Sequence, residues 1–361
     1  MASTVLKCKL YPTEYQDNIL TANSKEYIRA VNQLTHDNCD NDEWKRFTSR
    51  HVNAELSGNV RDSAKQDMRS ILSKYNKDRR KKPDVKLPIL KRPILKWSYV
   101  GYGIRDNQLL RLQCWDSKAF SILVKADISE AQYNIINSGK IGMLRVTQKN
   151  NKWIAQIAVT IPDVEQNDTG VCMGIVVGIK VPAVCVTSEG KTKFCGNGRM
   201  NKFYRRKALS HKRKLGKAKK LNALRNLKDK ESRWMTYQDH CISKSIVDFA
   251  VKNHVGTINM EKLSGIRQST SKSRKNTGYI HRWSFYRLQQ FVEYKAERNG
   301  IKVVYVNPKY TSQVCPCCGK RNKAEDRTYT CSECGYTTHR DRVGAMNIMH
   351  VSAVDGNSLP A

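Results

Sequence analysis

The stretch CMGIVVGIKVPAVCVT, residues 172–187, decides how the rest of the chain reads. Val, Ile and Ala dominate it, Gly174 and Gly178 interrupt it, and Pro182 sets off a second apolar run that closes on the Ser188-Glu189-Gly190 turn. A strand covered on both faces loses the alternation of a half-exposed one, so two such runs with turn residues between them predict a buried β-hairpin. Two acids stand at comparable places further on. Glu261 directly follows the apolar run Val255 to Met260, and Asp341 opens a short pattern with Ala345, Ile348 and Met349 on one helical face. Elements of this kind can bring their ends to a single point.

Four segments carry a resemblance: Gly174-Ile175-Val176-Val177-Gly178-Ile179-Lys180, Met260-Glu261-Lys262-Leu263-Ser264, Thr311-Ser312-Gln313 ahead of paired cysteines, and Asp341 six residues before Asn347-Ile348. Together they resemble the RuvC motifs of TnpB, the transposon-encoded RNA-guided proteins ancestral to type V CRISPR effectors. The resemblance implies an α/β multidomain fold: an RNase H-like RuvC core with a zinc ribbon, plus a small β-barrel wedge domain carrying a helical recognition insertion. It also implies a guide RNA and a double-stranded DNA target with a short flanking motif, and catalytic Asp, Glu and Asp in the three motifs. Glu261 and Asp341 match the second and third. A lone Glu after a strand is otherwise a solvated residue. The first position holds Val176.

That departure bears directly on chemistry. Two-metal hydrolysis of a phosphodiester needs convergent carboxylates to hold divalent ions about 4 Å apart, one activating water and the other stabilising the leaving oxygen. Val176 has no oxygen to offer, which leaves Glu261 and Asp341 vestigial and magnesium weak or absent. Asp341 also reads as a plain helix N-cap, with Val343, Gly344 and Ala345 after it where the family has Asn and small residues. The expectation is therefore a guide-dependent DNA binder that cuts poorly or not at all, not an enzyme, and a transcriptional repressor like naturally nuclease-dead members of the family. Two alternatives stay open. One is a transposon endonuclease with residual activity, although no acid lies within a few residues of Val176 on its strand. The other is a zinc-ribbon DNA-binding protein without RNA.

Composition agrees. The 361 residues carry 65 Lys and Arg against 32 Asp and Glu, a net charge of +33, which points to a polyanionic partner and away from small-metabolite enzymes. No apolar run approaches the roughly 20 residues of a spanning helix, and Met1 to Tyr11 does not read as a signal peptide. A cytosolic protein is expected. Twelve cysteines in a long lysine-rich chain fit metal binding and free thiols better than disulfides.

In chain order, Val5 to Leu10 reads as a strand, and Thr13 with Gln16 as a capping box opening a helix. Leu20, Tyr27, Val31 and Leu34 continue its face, with a break at Ser24. A second helix over Ala64 to Tyr75 ends in the basic run Lys77, Arg79, Arg80, Lys81 and Lys82 before Pro83. Beside Lys91, Arg92, Lys96 and Trp97 that run is read as phosphate-contacting. Residues 109–113, 119–124, 142–148 and 153–161 are short strands separated by Asp106-Asn107, Ser138-Gly139 and Asn150-Asn151 turns. Short strands at this spacing suggest a small barrel. The resemblance to TnpB implies that it is assembled from residues 1–10 and 83–165 around a helical lobe of 11–82, with the core at 166–310 and 337–350 and the ribbon at 311–336.

Between Arg199 and Lys230 there are fourteen Lys or Arg residues and one acid, Asp229. Phe203 and Tyr204 precede Arg205, Arg206 and Lys207, with Lys212, Arg213 and Lys214 beyond, so rings can meet bases while cations hold the backbone. Alternatively, this is an exposed helix with Leu209, Leu215, Leu221 and Leu224 turned inward; both readings can hold at once. Ile242, Ile246 and Phe249 form a helix stripe, Arg267 to Arg282 a mobile loop, Ser284 a helix cap, and His350 to Ala361 a frayed tail. Cys315, Cys318, Cys331 and Cys334 give two CxxC pairs with twelve residues between them, the spacing of two knuckles around a structural zinc. Cys317 reads as a spectator.

Overall fold

The N-terminal apolar run forms strand β1 (Ala2–Tyr11), and it is the seam of a seven-stranded sheet. The other strands are β2 (Ile94–Trp97), β3 (Tyr102–Arg105), β4 (Leu109–Asp116), β5 (Lys118–Ala126), β6 (Lys140–Lys149) and β7 (Lys152–Ile161). Their order is β2-β6-β7-β1-β5-β4-β3. β1 runs antiparallel to β7 from Ala2 to Lys9, then passes to β5 at Leu10 and Tyr11. At the two ends of this order, the Tyr102 hydroxyl of β3 donates to the Gly142 carbonyl of β6 at 3.1 Å, and the Trp97 indole of β2 donates to the Gln113 carbonyl of β4 at 2.6 Å. The sheet therefore curls back on itself. Trp153, Ala155, Ile157 and Val159 alternate inward along β7 as a half-buried strand requires. Asn150 and Asn151, at φ 56° and 58°, form the tight turn from β6 to β7.

The computed structural model describes residues 2–350 apart from 107, 163, 228, 264–284, 308 and 323–325. Ser264, the Arg267 to Arg282 loop, the Ser284 cap and the 351–361 tail lie outside the described residues. The chain divides into two units, Met1–Pro162 and Asp163–Ala361.

Helices α1 (Glu14–Asp37) and α2 (Gly58–Arg79) stand between β1 and β2. The expected capping box is present: Gln16 N–H donates to Thr13 Oγ1 at 3.4 Å, and Thr13 N–H to Gln16 Oε1 at 3.1 Å. Ser24 does not break α1. It is buried, and its Oγ accepts the Ile94 N–H at 2.9 Å, so its hydroxyl caps a strand instead of interrupting a helix. Lys96 and Trp97 also leave the basic surface assigned to them. Trp97 is fully buried, and Lys96 is ion-paired with Asp67. A third helix, α3 (Glu130–Ser138), occupies a stretch read only as spacing between strands, opened by a Ser129/Gln132 capping box.

In the second unit the quoted stretch forms β8 (Cys172–Val177) and β9 (Ala183–Thr187), an antiparallel hairpin extended by β10 (Thr192–Cys195). β11 (Thr257–Glu261) lies parallel to β8, and β12 (Lys302–Val306) parallel to β11, giving the order β10-β9-β8-β11-β12 of an RNase H-like sheet. Helices α4 (Gly198–Lys217), α5 (Leu221–Asn226) and α6 (Lys230–Lys252) follow β10; α7 (Phe285–Glu297) precedes β12, and α8 (Arg340–His350) ends the described chain. Met173 and Ile175 pack with Ile242 and Ile246 of α6 and Leu288 and Val292 of α7. The alternate residues of β8 face α8. A Cβ on Gly174 would stand 1.9 Å from the Ala345 carbonyl, so only glycine allows the helix to lie directly on the strand. At the far end of α8, the buried Asn259 amide donates to the Ile348 and Met349 carbonyls at 3.2 and 3.1 Å, satisfying two of the carbonyls that a helix end leaves open.

Candidate functional site

Parallel pairing of β8 with β11 brings their carboxyl ends together, the edge at which α/β sheets place ligands. Val176 and Glu261 stand there, one step beyond the Ile175–Met260 pair. Asp341 comes to them in the first turn of α8. All three line one cavity of about 460 Å³, together with Asp326, Arg327 and Arg340. Val176 also belongs to a small apolar layer with Val304, Val306 and Ile348, and its Cγ2 fills the space where a side chain on Gly344 would stand.

The two carboxylates are held differently. Asp341 is not an N-cap: α8 begins at Arg340, and the Asp341 oxygens accept from Arg327 Nη1 at 3.0 and 2.7 Å. Glu261 accepts from the Thr311 hydroxyl at 3.3 Å. Burial pushes the Glu261 carboxyl up to about 7, with the nearby Asp341 charge adding to the shift and the Thr311 bond opposing it. Val176 supplies no oxygen, Arg327 holds both oxygens of Asp341, and burial disfavours the charged form of Glu261. These residues do not fit the paired divalent ions of a three-carboxylate centre.

The raised carboxyl has a consequence for stability. A Glu that binds its proton more tightly folded than unfolded contributes stability at low pH, lost as pH climbs from the unfolded value near 4.5 through about 7. Glu261→Gln is expected to flatten that slope and to raise the melting temperature at pH 8 by several degrees, the buried charge costing at most about 3 kcal/mol. Thermal melts of both proteins between pH 5 and 8 check this; parallel slopes would refute it.

The four cysteines of the two CxxC pairs converge, with all sulfurs within 4.8 Å of one another. Cys315 and Cys334 Sγ are 3.7 Å apart, and Cys318 and Cys331 Sγ 3.5 Å. A tetrahedron with metal–sulfur bonds of about 2.3 Å has edges near this length. The two loops are built alike. Gly319 N–H donates to the Cys315 carbonyl and Gly335 N–H to the Cys331 carbonyl, at 3.0 and 3.1 Å, and both glycines take positive φ, 73° and 71°. β13 (Thr328–Thr330) and β14 (Thr337–His339) flank the second loop. The set fits a tetrahedral metal ion, and four thiolates leave no position for water.

The predicted cationic residues lie in two places. Lys77, Arg79, Arg80, Lys81 and Lys82 are exposed at and beyond the end of α2, where Arg79 pairs with Asp40 at 2.7 Å. On α4, Phe203, Tyr204, Arg206, Lys207, Arg213 and Lys214 are exposed. Arg205 is instead drawn inside near Asp239, and Lys212 pairs with Glu231 at 3.1 Å. Sequence reasoning missed Arg327 and Asp326, whose place at the cavity is purely tertiary. It also missed Trp234, which stacks on Tyr204.

A family model described as Cas12f1-like, TNB domain matches residues 285–348. The chain is 30% identical over 218 residues to a CRISPR-associated endodeoxyribonuclease Cas12f1 from Sulfoacidibacillus thermotolerans, covering 55% of this chain and 50% of the relative. It is 40% identical over 115 residues to the TnpB-like protein MJ0751 from Methanocaldococcus jannaschii, covering 31% and 41%. In fold it is similar to Cas12f1 as seen in a cryo-EM structure of a Cas12f1–sgRNA–target DNA complex, with a TM-score of 0.66 at 17% identity over 92% of this chain and 82% of that one. The chain spans about half the length of the curated relatives it matches, 50% and 44% for two Cas12f1 proteins. Those relatives are named endodeoxyribonucleases, so the expectation that the chain is not an enzyme is corrected: Val176 stands in the framework of a nuclease family. Among the described residues, no helix is long and apolar enough to cross a membrane.

Proposed function

We propose that this relative of the TnpB and type V effector proteins is an RNA-guided DNA-binding protein of a nuclease family in which target occupancy outlasts strand cleavage. The observation that carries the reading is Val176 on the wall of the cavity that Glu261 and Asp341 share. Two carboxylates hold divalent ions less well than three, and the cleavage step slows by orders of magnitude. Binding draws on other parts of the molecule. The net charge of +33 and the exposed cations of α4 remain to hold phosphates. By analogy with other RNA-guided effectors, base pairing supplies sequence specificity, while the protein reads a short flanking motif and the backbone of the guide–target heteroduplex. A complex that stays on a promoter blocks polymerase, so gene repression is the cellular effect this chemistry favours. Zinc is the ion assigned to the four cysteines, in a structural role.

The first test is the RNA. The purified protein is expected to carry a discrete, RNase-sensitive RNA, and the loaded complex to bind duplex matching that guide with cleavage in magnesium much slower than binding. Only bulk nucleic acid removable by salt would sink the guided reading and favour a zinc-ribbon DNA binder instead. Rapid double-strand cleavage would sink the claim that occupancy outlasts cutting.

A further inference from the structure

Aromatic rings gather on the exposed side of α4 and α6. Tyr204 and Trp234 stack face to face, with centroids 3.9 Å apart and planes 11° from parallel. Phe203 meets Tyr204 edge-on at 6.3 Å. Phe203 is 53% exposed and Tyr204 41%, and Tyr237, one turn past Trp234, is 63% exposed. Rings of this size ordinarily dominate cores. Here they stand among the exposed cations Arg206, Lys207 and Arg233. A partner that offers flat apolar faces and negative charge together is a nucleic acid, and one whose base faces are not hidden inside a duplex is single-stranded.

The position of the rings selects the strand. The first N–H of α4, at Gly198, donates to the Lys180 carbonyl at 3.1 Å, and a Cβ there would stand 2.0 Å from the carbonyl of Ile179, a residue of the cavity wall. Phe203 and Tyr204 follow five and six residues later, about 8–9 Å along the helix. From the other side, Arg205 lies buried near Asp239, which Arg287 of α7 holds at 2.7 Å, and two residues on Gln289 donates to the Glu261 carbonyl at 2.6 Å. One layer of side chains thus fixes the rings to the strand end that carries Glu261. Relatives of this fold are named endodeoxyribonucleases, and on the proposed reading of this chain as a DNA binder the strand expected at this cavity is DNA.

We propose that Phe203, Tyr204 and Trp234 form a shelf on which an unpaired base of the target DNA stacks a few nucleotides from the cavity, with Arg206 and Lys207 on the adjoining phosphates. This rests on the reading of the chain as a target-DNA binder and adds which strand it holds beside the cavity, and by which side chains. The test uses the full chain loaded with its RNA and a single-stranded DNA carrying 2-aminopurine, whose fluorescence falls when it stacks. Wild-type protein is expected to quench the probe severalfold. The double variant Phe203→Ala, Tyr204→Ala is expected to abolish quenching and weaken single-strand affinity about tenfold. Trp234→Phe keeps a ring beneath Tyr204 and is expected to retain the signal, which separates stacking from loss of helix packing. Equal quenching by the double variant would overturn the shelf. Quenching of the same probe placed in RNA, with none in DNA, would overturn the choice of strand. Guided duplex binding by wild-type complex is measured in parallel; its absence would sink the functional reading while the quenching assay still reports on the shelf.

Discussion

Val176→Asp is expected to raise target cleavage in magnesium by at least about a hundredfold while leaving target affinity within about twofold. The side chain already lines the cavity, level with Glu261 on the neighbouring parallel strand and facing the first turn of α8. Asp is close to Val in volume, so the β8 pairings, including Val176 with Val184, have no steric reason to shift, and Gly344 leaves room beside it. A third carboxylate supplies what two-ion hydrolysis lacks here, and the ions it helps to hold compete with Arg327 for the oxygens of Asp341. They also oppose the burial that keeps Glu261 protonated to about pH 7. Without ions the new charge sits against Val304, Val306 and Ile348, and the variant is expected to lose about 1–2 kcal/mol of stability. Val176→Asn is the control, having the same shape without the charge. Single-turnover cleavage of a labelled duplex by RNA-loaded protein decides the matter. If the Asp variant cuts no faster than the Asn variant, the missing carboxylate is not what limits this chain.

Much of that site was legible because it depends on local patterns. Unbroken apolar runs marked β8 and β11, each ending at a residue of the cavity, and the spacing of Ala345, Ile348 and Met349 marked the buried face of α8. The CxxC spacing marked the sulfur cluster for the same reason, since two residues between cysteines are enough to build each knuckle. What escaped was decided by contacts distant in sequence. Nothing near Arg327 indicates that it grips Asp341, and nothing near Ser24 indicates that its hydroxyl meets the N–H of Ile94, 70 residues on. Arg205 reads as one more cation in a basic run until Asp239 is found beside it. Helix α3 was missed for a different reason. Its Ser129/Gln132 box is as clear as that of Thr13 and Gln16, but only Ile136 is fully buried, so no apolar stripe announced it. The departure at position 176 was visible from the start, but sequence alone carried it too far, to an expected loss of enzyme identity that the relatives do not support.

Removing the metal from the four cysteines is expected to disable far more than the ribbon. Cys315, Tyr329 and Cys331 share a small core with Val343 of α8, and the Asn347 amide donates to the Thr311 and Val314 carbonyls at 2.7 and 2.8 Å. Helix α8 is thus clamped by the segment leading into the first knuckle. Two of the groups that set the carboxylates, Thr311 toward Glu261 and Arg327 toward Asp341, belong to the same segment that carries the four cysteines. Structural zinc in small domains carries apparent binding free energies of about 10–16 kcal/mol at neutral pH. Passing even a few kcal/mol of that to the second unit lowers its melting temperature by about 10 °C. Elemental analysis is expected to find one zinc per chain. Chelation or Cys331→Ser should split off an early unfolding transition and abolish any gain in cleavage conferred by aspartate at position 176. Cys317→Ser should do neither, because its sulfur lies outside the cluster. A chelated protein that melts within a few degrees of the holo form would show that α8 holds its place through contacts with β8 and β11 alone, and that the ribbon serves something other than the cavity.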